Sequence, residues 1–315
     1  MSLDTAAAVA KLRSLTGKFD NSVRATTPFY PTLCSVIPSD GFDEEYGMLG
    51  SVPSVREWMG ERDFHAPRAA KFTIENKLWE SSIAVQKTHI DDDRMALYGT
   101  MFQSLGVRAA RHPDKLLLGT LAVNGTGGTN GTCLDGQFFF DTDHSWGDSG
   151  TQDNDLTGAA ATGTNPTIDE FKASAVACLK AMLRFKDDKG ELLHDDVVMG
   201  VNGGMDLIAL VPLDYWEVAT KAFTPGIFLN NGETNVPVAT ARVIPTPHFG
   251  ATGSYWDLYR VDTPFKPYIF QARKPLTRQM KGMDDIEFKD VKFMTEARYN
   301  LGYGAWWNAV RYTFT

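Results

Sequence analysis

Apolar positions recur along the chain at two different periods, and the period changes mark its elements. Met95, Tyr98, Phe102 and Leu105 stand at helical spacing and predict a helix with one apolar face. Asp91-Asp92-Asp93 precede it, where carboxylates suit the positive end of a helix. Pro113, suited to a first helical position, predicts a second helical piece through Leu121. Residues 124–165 are dominated by Gly, Thr, Asn and Asp and read as loop. Thr167 and Glu170 form a capping box ahead of a helix with Phe171, Ala175, Cys178 and Met182 on one side. The short apolar runs Val197–Val201 and Leu207–Val211 predict buried strands, and Leu213–Phe223 a helix. Strands return over 236–315, ending in an alternating run of Trp306, Asn308, Val310, Tyr312 and Phe314. This mixed order predicts an α+β fold rather than repeated βαβ units.

Two segments cannot bury themselves. Residues 1–20 can form one or two helical turns, after which Pro28, Pro31 and Pro38 predict an extended arm over 26–38. That arm carries Phe29, Tyr30, Leu33, Val36 and Ile37, so it must lie on its own domain or on another chain. Residues 55–90 read as a long β-hairpin, with a first strand near Val55–Phe64 and His65-Ala66-Pro67 near the tip. Phe72, Ile74 and Leu78 share one parity and Trp79, Ile83 and Val85 the other, which predicts a bulge or strong twist at Leu78–Trp79. An isolated two-stranded ribbon is marginal in water, so a neighbouring subunit is the natural support.

Composition narrows the function classes. The 315 residues suit two domains or one large one at roughly 150 residues each. A formal net charge of −8 argues against a dedicated nucleic-acid binder, although residues 257–315 are locally basic and 135–215 acidic. Cys34, Cys133 and Cys178 are too scattered for a disulfide framework or a metal site and suit a reducing compartment. Neither a signal-peptide core nor a membrane span of ~18 apolar residues is expected.

Candidate chemistry is thin. Gly147-Asp148-Ser149-Gly150 spells a serine-protease nucleophile segment, with His144 just upstream, but the rest of the triad context is missing and the loop composition explains the match. Asp141, Asp143, Ser145 and Asp148 imitate a calcium loop, yet Trp146 replaces its glycine and the closing Glu is absent; a solvated acidic loop is the plainer reading. The glycine-rich run 124–131 has Asn130 where a dinucleotide fingerprint needs Gly. His89-Ile90-Asp91-Asp92-Asp93 is explained by a strand end and helix cap without metal. No catalytic residue, cofactor or metal is expected.

Several ordered blocks do resemble one family. Tyr46-Gly47-Met48-Leu49-Gly50, then Pro53 through Arg62 with Glu57-Trp58 and Gly60, resemble the corresponding segment of Mu-like phage major head subunits. The likeness continues through Ile74-Glu75-Asn76-Lys77, Trp79-Glu80 and Ile90-Asp91-Asp92-Asp93, then Cys133-Leu134-Asp135-Gly136-Gln137-Phe138-Phe139-Phe140-Asp141 and His144. Pro267 to Lys274 and Gly302 to Trp307 extend it toward the C-terminus. The blocks span most of 45–145 and 265–308; residues 150–255 are placed by order alone.

The resemblance implies a Hong Kong 97-type phage capsid fold and a structural protein rather than an enzyme. It implies an N-terminal arm over 1–45, an extended hairpin loop over 46–90, and a peripheral domain with a spine helix over 91–150. An axial domain would occupy 151–255, and 256–315 would return to the peripheral domain. The chain would self-associate into pentamers and hexamers of an icosahedral head that encloses double-stranded DNA without sequence specificity. Portal, scaffold or protease and decoration proteins are possible further partners, no membrane is involved, and assembly would occur in the host bacterial cytoplasm. Candidate inter-subunit contacts are Phe29, Tyr30, Trp58, Arg62, Lys71, Lys77 and Trp79. A cross-link from Lys71 or Lys77 to a neighbour's Asn, as in one relative of this fold, has no assignable partner, and both lysines are explained by solubility. The alternatives are a compartment shell of the encapsulin type and a hydrolase using the 141–155 loop.

Overall fold

The computed structural model describes residues 5–49, 69–91, 95–161, 164–195, 204–223, 226–227, 234–235, 240–249, 254–281 and 290–315. Helix α1 (Thr5–Ala25) is five turns rather than one or two. Its Leu12, Leu15 and Phe19 repeat at i, i+3, i+7 and are all buried, and this tertiary contact carries the helix well past what its local sequence suggests. The next stretch is not extended throughout. A single-turn helix, α2 (Tyr30–Leu33), comes before strand β1 (Cys34–Pro38). The Asp114 carboxylate accepts from the N–H groups of Phe29 (2.9 Å) and Tyr30 (2.7 Å), which satisfies donors the short helix leaves open.

Strands β2 (Asp43–Leu49) and β3 (Ala69–Glu75) form an antiparallel ribbon from Asp43↔Glu75 to Leu49↔Ala69. Pairing thus begins well before the first strand expected at Val55–Phe64, which lies outside the described residues. Strand β4 (Lys77–Gln86) follows after one residue, Asn76. The parity break falls at that residue, because the chain leaves one sheet and joins another. Trp79, Ile83 and Val85 face inward on β4, while Leu78 is exposed rather than sharing the face of Ile74.

Helix α3 (Lys87–Asp91) places Asp91 at its own last residue, not at the start of the long helix. Helix α4 (Met95–Leu116) buries Tyr98 and Phe102, as its spacing predicts. Pro113 does not begin a second helix; it sits inside α4, which runs on into a π-helical turn at Leu117–Leu121. The ring lies on the buried face, where packing outweighs the lost hydrogen bond.

The rest of the chain supplies β5 (Asp155–Gly158), α5 (Ile168–Met182), β6 (Leu207–Pro212), α6 (Trp216–Phe223), and the short strands β7 (Gly226–Ile227) and β8 (Thr234–Asn235). Then come β9 (Ala241–Thr246), β10 (Tyr255–Arg260), β11 (Tyr268–Lys281), β12 (Asp290–Tyr303) and β13 (Ala309–Phe314). The Thr167–Glu170 capping box forms with both reciprocal bonds. The strand expected at Val197–Val201 lies outside the described residues.

Two main sheets result, ordered β1-β11-β12-β4 and β5-β13-β10-β6-β9. The first carries α1 and α4 over a small core around Phe102 and Phe293, whose rings are 4.8 Å apart. The second is covered by α5 and α6, with Phe171 against Trp256 at 4.8 Å. Strands β11 and β12 lie beside β4, but β13 crosses into the five-stranded sheet between β5 and β10. In that central position Ala309, Val310 and Arg311 are all buried, so the alternation predicted for the C-terminal run does not produce one wet face.

Candidate functional site: the ribbon and the long helix

The ribbon's two faces differ. Glu44, Tyr46, Phe72 and Ile74 face the body, and Tyr46 stacks on Phe72 with ring centres 5.4 Å apart. Asp43, Glu45, Lys71, Thr73 and Glu75 face solvent. Lys71 pairs with Glu45 at 3.1 Å on that exposed face, a geometry of little net stabilising value.

The root of the ribbon is held by amides. Gln271, fully buried in β11, accepts from the Tyr46 hydroxyl (2.9 Å) and donates to the Ile74 carbonyl (3.1 Å). Asn76 donates to Ser39 Oγ (2.7 Å) and the Gly41 carbonyl (3.1 Å). Asn300 donates to the Glu75 carbonyl (2.7 Å). Glu44 accepts from Ser39 Oγ and from the backbone N–H groups of Asp40 and Gly41, and the bonds from Gly41, Ser39 and Asp40 draw its carboxyl below the usual range. Ile74 also packs so closely on Gly302 that a Cβ there would lie 2.4 Å from its Cδ1.

A cavity of about 250 Å³ opens between α4 and the β4–β12 pair, lined by Trp79, Leu105, Arg108, His112, Leu276 and Tyr299 among others. Trp79 donates its indole N–H to the Tyr299 carbonyl (2.9 Å). His112 Nδ1 lies 2.7 Å from the Tyr299 hydroxyl, and its ring packs 4.6 Å from Trp79. Burial, with Lys115 nearby, lowers the His112 pKa and favours the neutral ring.

These contacts place five of the seven candidate contact residues. Tyr30 stacks on Phe270 of its own chain at 4.3 Å and Phe29 packs against the main core, both half-buried. Trp79 is half-buried over Tyr299, while Lys71 and Lys77 are exposed. Trp58 and Arg62 lie outside the described residues. The polar root residues Gln271, Asn76 and Asn300 were not singled out in the sequence; an amide in the apolar β11 run Tyr268-Ile269-Phe270 was the available signal.

The loop that imitated catalytic and calcium motifs is packed structure rather than a solvated acidic loop. His144 is fully buried, stacked on Trp306 at 3.8 Å, with Nδ1 2.7 Å from Asp135. Ser149 accepts from the Trp146 N–H (2.9 Å) and donates to the Gly150 carbonyl (2.9 Å), closing a turn rather than engaging His144. Gly147 and Gly150 adopt positive φ there. Among the described residues, no group of three or more His, Cys, Asp or Glu is arranged to hold a metal, and no helix is long and apolar enough to cross a membrane. Burial raises the pKa of all three cysteine thiols.

Similarity to known proteins points the same way. A 115-residue segment is 36% identical to the Mu-like prophage FluMu major head subunit of Haemophilus influenzae and 33% identical to the major capsid protein of Escherichia phage Mu. The segment spans 36% of this chain and 36% of the length of each relative. Over 97% of this chain, the structure superimposes on 74% of a chain of the bacteriophage JBD30 procapsid, with a TM-score of 0.53 at 22% identity. That likeness fixes the architecture as the α+β, Hong Kong 97-type capsid fold. The family model for the Mu-like prophage major head subunit gpT matches residues 9–170, more than half of this chain, and the chain therefore belongs to that family.

Proposed function

We propose that this chain is the shell-forming subunit of a tailed-phage head, associating without covalent cross-links into pentamers and hexamers of an icosahedral capsid around double-stranded DNA. The observation that carries this reading is the β2–β3 ribbon, in a chain of the head-subunit family. One face rests on the body through a set of amide hydrogen bonds, and the other stays in water although two strands alone are marginal. A neighbouring copy would cover what the single chain leaves open. Head-to-tail contacts of this kind close into rings, and a small change of angle yields rings of two sizes. Residues 1–45 then act as the arm, 46–90 as the extended loop, 91–150 as the peripheral domain and 151–255 as the axial domain. The return over 256–315 sends its last strand into the axial sheet. Portal, scaffold or protease and decoration proteins would join the shell as partners, and the host bacterial cytoplasm would be the place of assembly.

Light scattering of the purified full-length chain, paired with negative-stain imaging, tests the reading. Rings or closed particles are expected. A compact monomer that persists at high concentration would overturn it, and particles filled with a protein cargo instead of DNA would point to a compartment shell.

A further inference from the structure

The solvent face of α4 carries two kinds of unpartnered group. Leu97 is 67% exposed and Met101 44% exposed, and Arg108, Arg111 and Lys115 continue the same face toward the C-terminal end. None of the three cations has a hydrogen bond or ion pair among the described residues, and Arg108 borders the Trp79–His112 cavity. The ribbon presents the complementary problem. Asp43 and Glu75 stand directly opposite each other in the β2–β3 register, both exposed, and neither carboxylate has a partner among the described residues. Like charges in facing positions repel, so this pair weakens the ribbon in the isolated chain. Lys71 does not relieve it, being paired with Glu45.

We infer that the acidic outer face of the ribbon root, centred on Asp43 and Glu75, docks on the Arg108–Arg111–Lys115 face of α4 in a second copy of this chain. The inference rests on the assembly reading and gives it a register. Opposite charges guide encounter and reject misaligned contacts, while Leu97 and Met101 on the same helix face supply apolar area to bury. The contact is heterologous: each copy offers its ribbon to one neighbour and its helix to another, as ring closure requires.

Charge exchange in the full-length chain tests this. Asp43→Lys with Glu75→Lys, and separately Arg108→Glu with Arg111→Glu, should each raise the protein concentration needed for assembly by about tenfold or more. The chain carrying all four changes should recover assembly, since its reversed ribbon meets a reversed helix. The altered side chains are exposed and unpartnered, so thermal unfolding should stay near that of the parent. The neutral set Asp43→Asn, Glu75→Gln, Arg108→Gln and Arg111→Gln supplies a milder check, with a weaker salt dependence of assembly expected. If the parent assembles and both reversed pairs assemble equally well, or the fourfold variant gains nothing over the pairs, the docking is wrong while the shell reading stands. If the parent itself never assembles, both fall.

Discussion

Arg311 and Arg108 show how differently the two halves of this molecule treat the same side chain. Arg311, buried in the five-stranded sheet, makes two bonds to Asp257 at 2.7 and 2.9 Å, reaches the Ala122 carbonyl, and lies between the rings of Tyr255 (4.0 Å) and Phe140 (4.2 Å). Tyr259 donates to the same Asp257 (2.9 Å), so the ion pair is enclosed by its own chain. Arg108, on the long helix, meets no anion at all among the described residues. The five-stranded region is finished within one chain; the ribbon and α4 are left open. A domain that must fold alone closes its polar groups internally, whereas surfaces meant for another copy retain theirs.

The largest test of that contrast is Arg311→Leu. It strands Asp257 in the core, and a loss of about 3–5 kcal/mol in denaturant unfolding is expected. A loss below about 1 kcal/mol would mean the pair is less enclosed than its geometry indicates.

Gln271→Leu should have an intermediate effect, since it leaves the Tyr46 hydroxyl and the Ile74 carbonyl without their partner. About 1–3 kcal/mol should be lost, concentrated at the ribbon root. Hydrogen exchange at 72–76 should accelerate while β10 and β13 stay protected; a uniform loss of protection would show that the ribbon and the core unfold together.

A smaller change of opposite sign is expected at Asp155. Burial, only partly offset by Arg311, pushes its carboxyl up to about 6. A raised carboxyl pKa means the folded chain binds the proton more tightly than the unfolded one, so this contribution is full below about pH 4 and is lost as pH rises toward 6. Asp155→Asn should therefore stabilise the chain at pH 7 by about 1 kcal/mol, after allowance for its partial exposure, and should do nothing at pH 3.5. Thermal unfolding at the two pH values checks both arms.

The smallest effect on stability belongs to Leu97→Ala with Met101→Ala, about 0.5 kcal/mol or less, because both side chains already lie in water. Assembly should suffer far more than unfolding. Equal losses in the two measurements would erase the distinction between a closed half and an open half.

Trp79 shows where position in the fold changes an expectation. Its place on the hairpin made it a contact residue for a neighbour, yet its indole is bonded to Tyr299 of the same chain and packs on His112. Substitution there should weaken the chain's own fold as well as assembly.

Local sequence alone determined the elements whose signals are complete within a few residues. The Thr167–Glu170 box sets a helix start by its own hydrogen bonds, the 98–102 spacing buries one face of α4, and the apolar run after Asp206 becomes β6. The ordered blocks from Tyr46 to Trp307 carried the family and the fold. Tertiary structure decided whatever depends on a partner far away in the chain. Helix α1 is long because Phe293 and Phe102 receive Phe19's side of it, and α4 keeps Pro113 because the ring lies on a buried face. His144 is buried because Asp135 and Trp306 enclose it, and β13 is wet on neither face because it lies between β5 and β10. Hydrogen bonds and periodicities that close over three or four residues can be read in order along the chain. Burial depends on what arrives from a hundred residues away, and only the folded arrangement decides it.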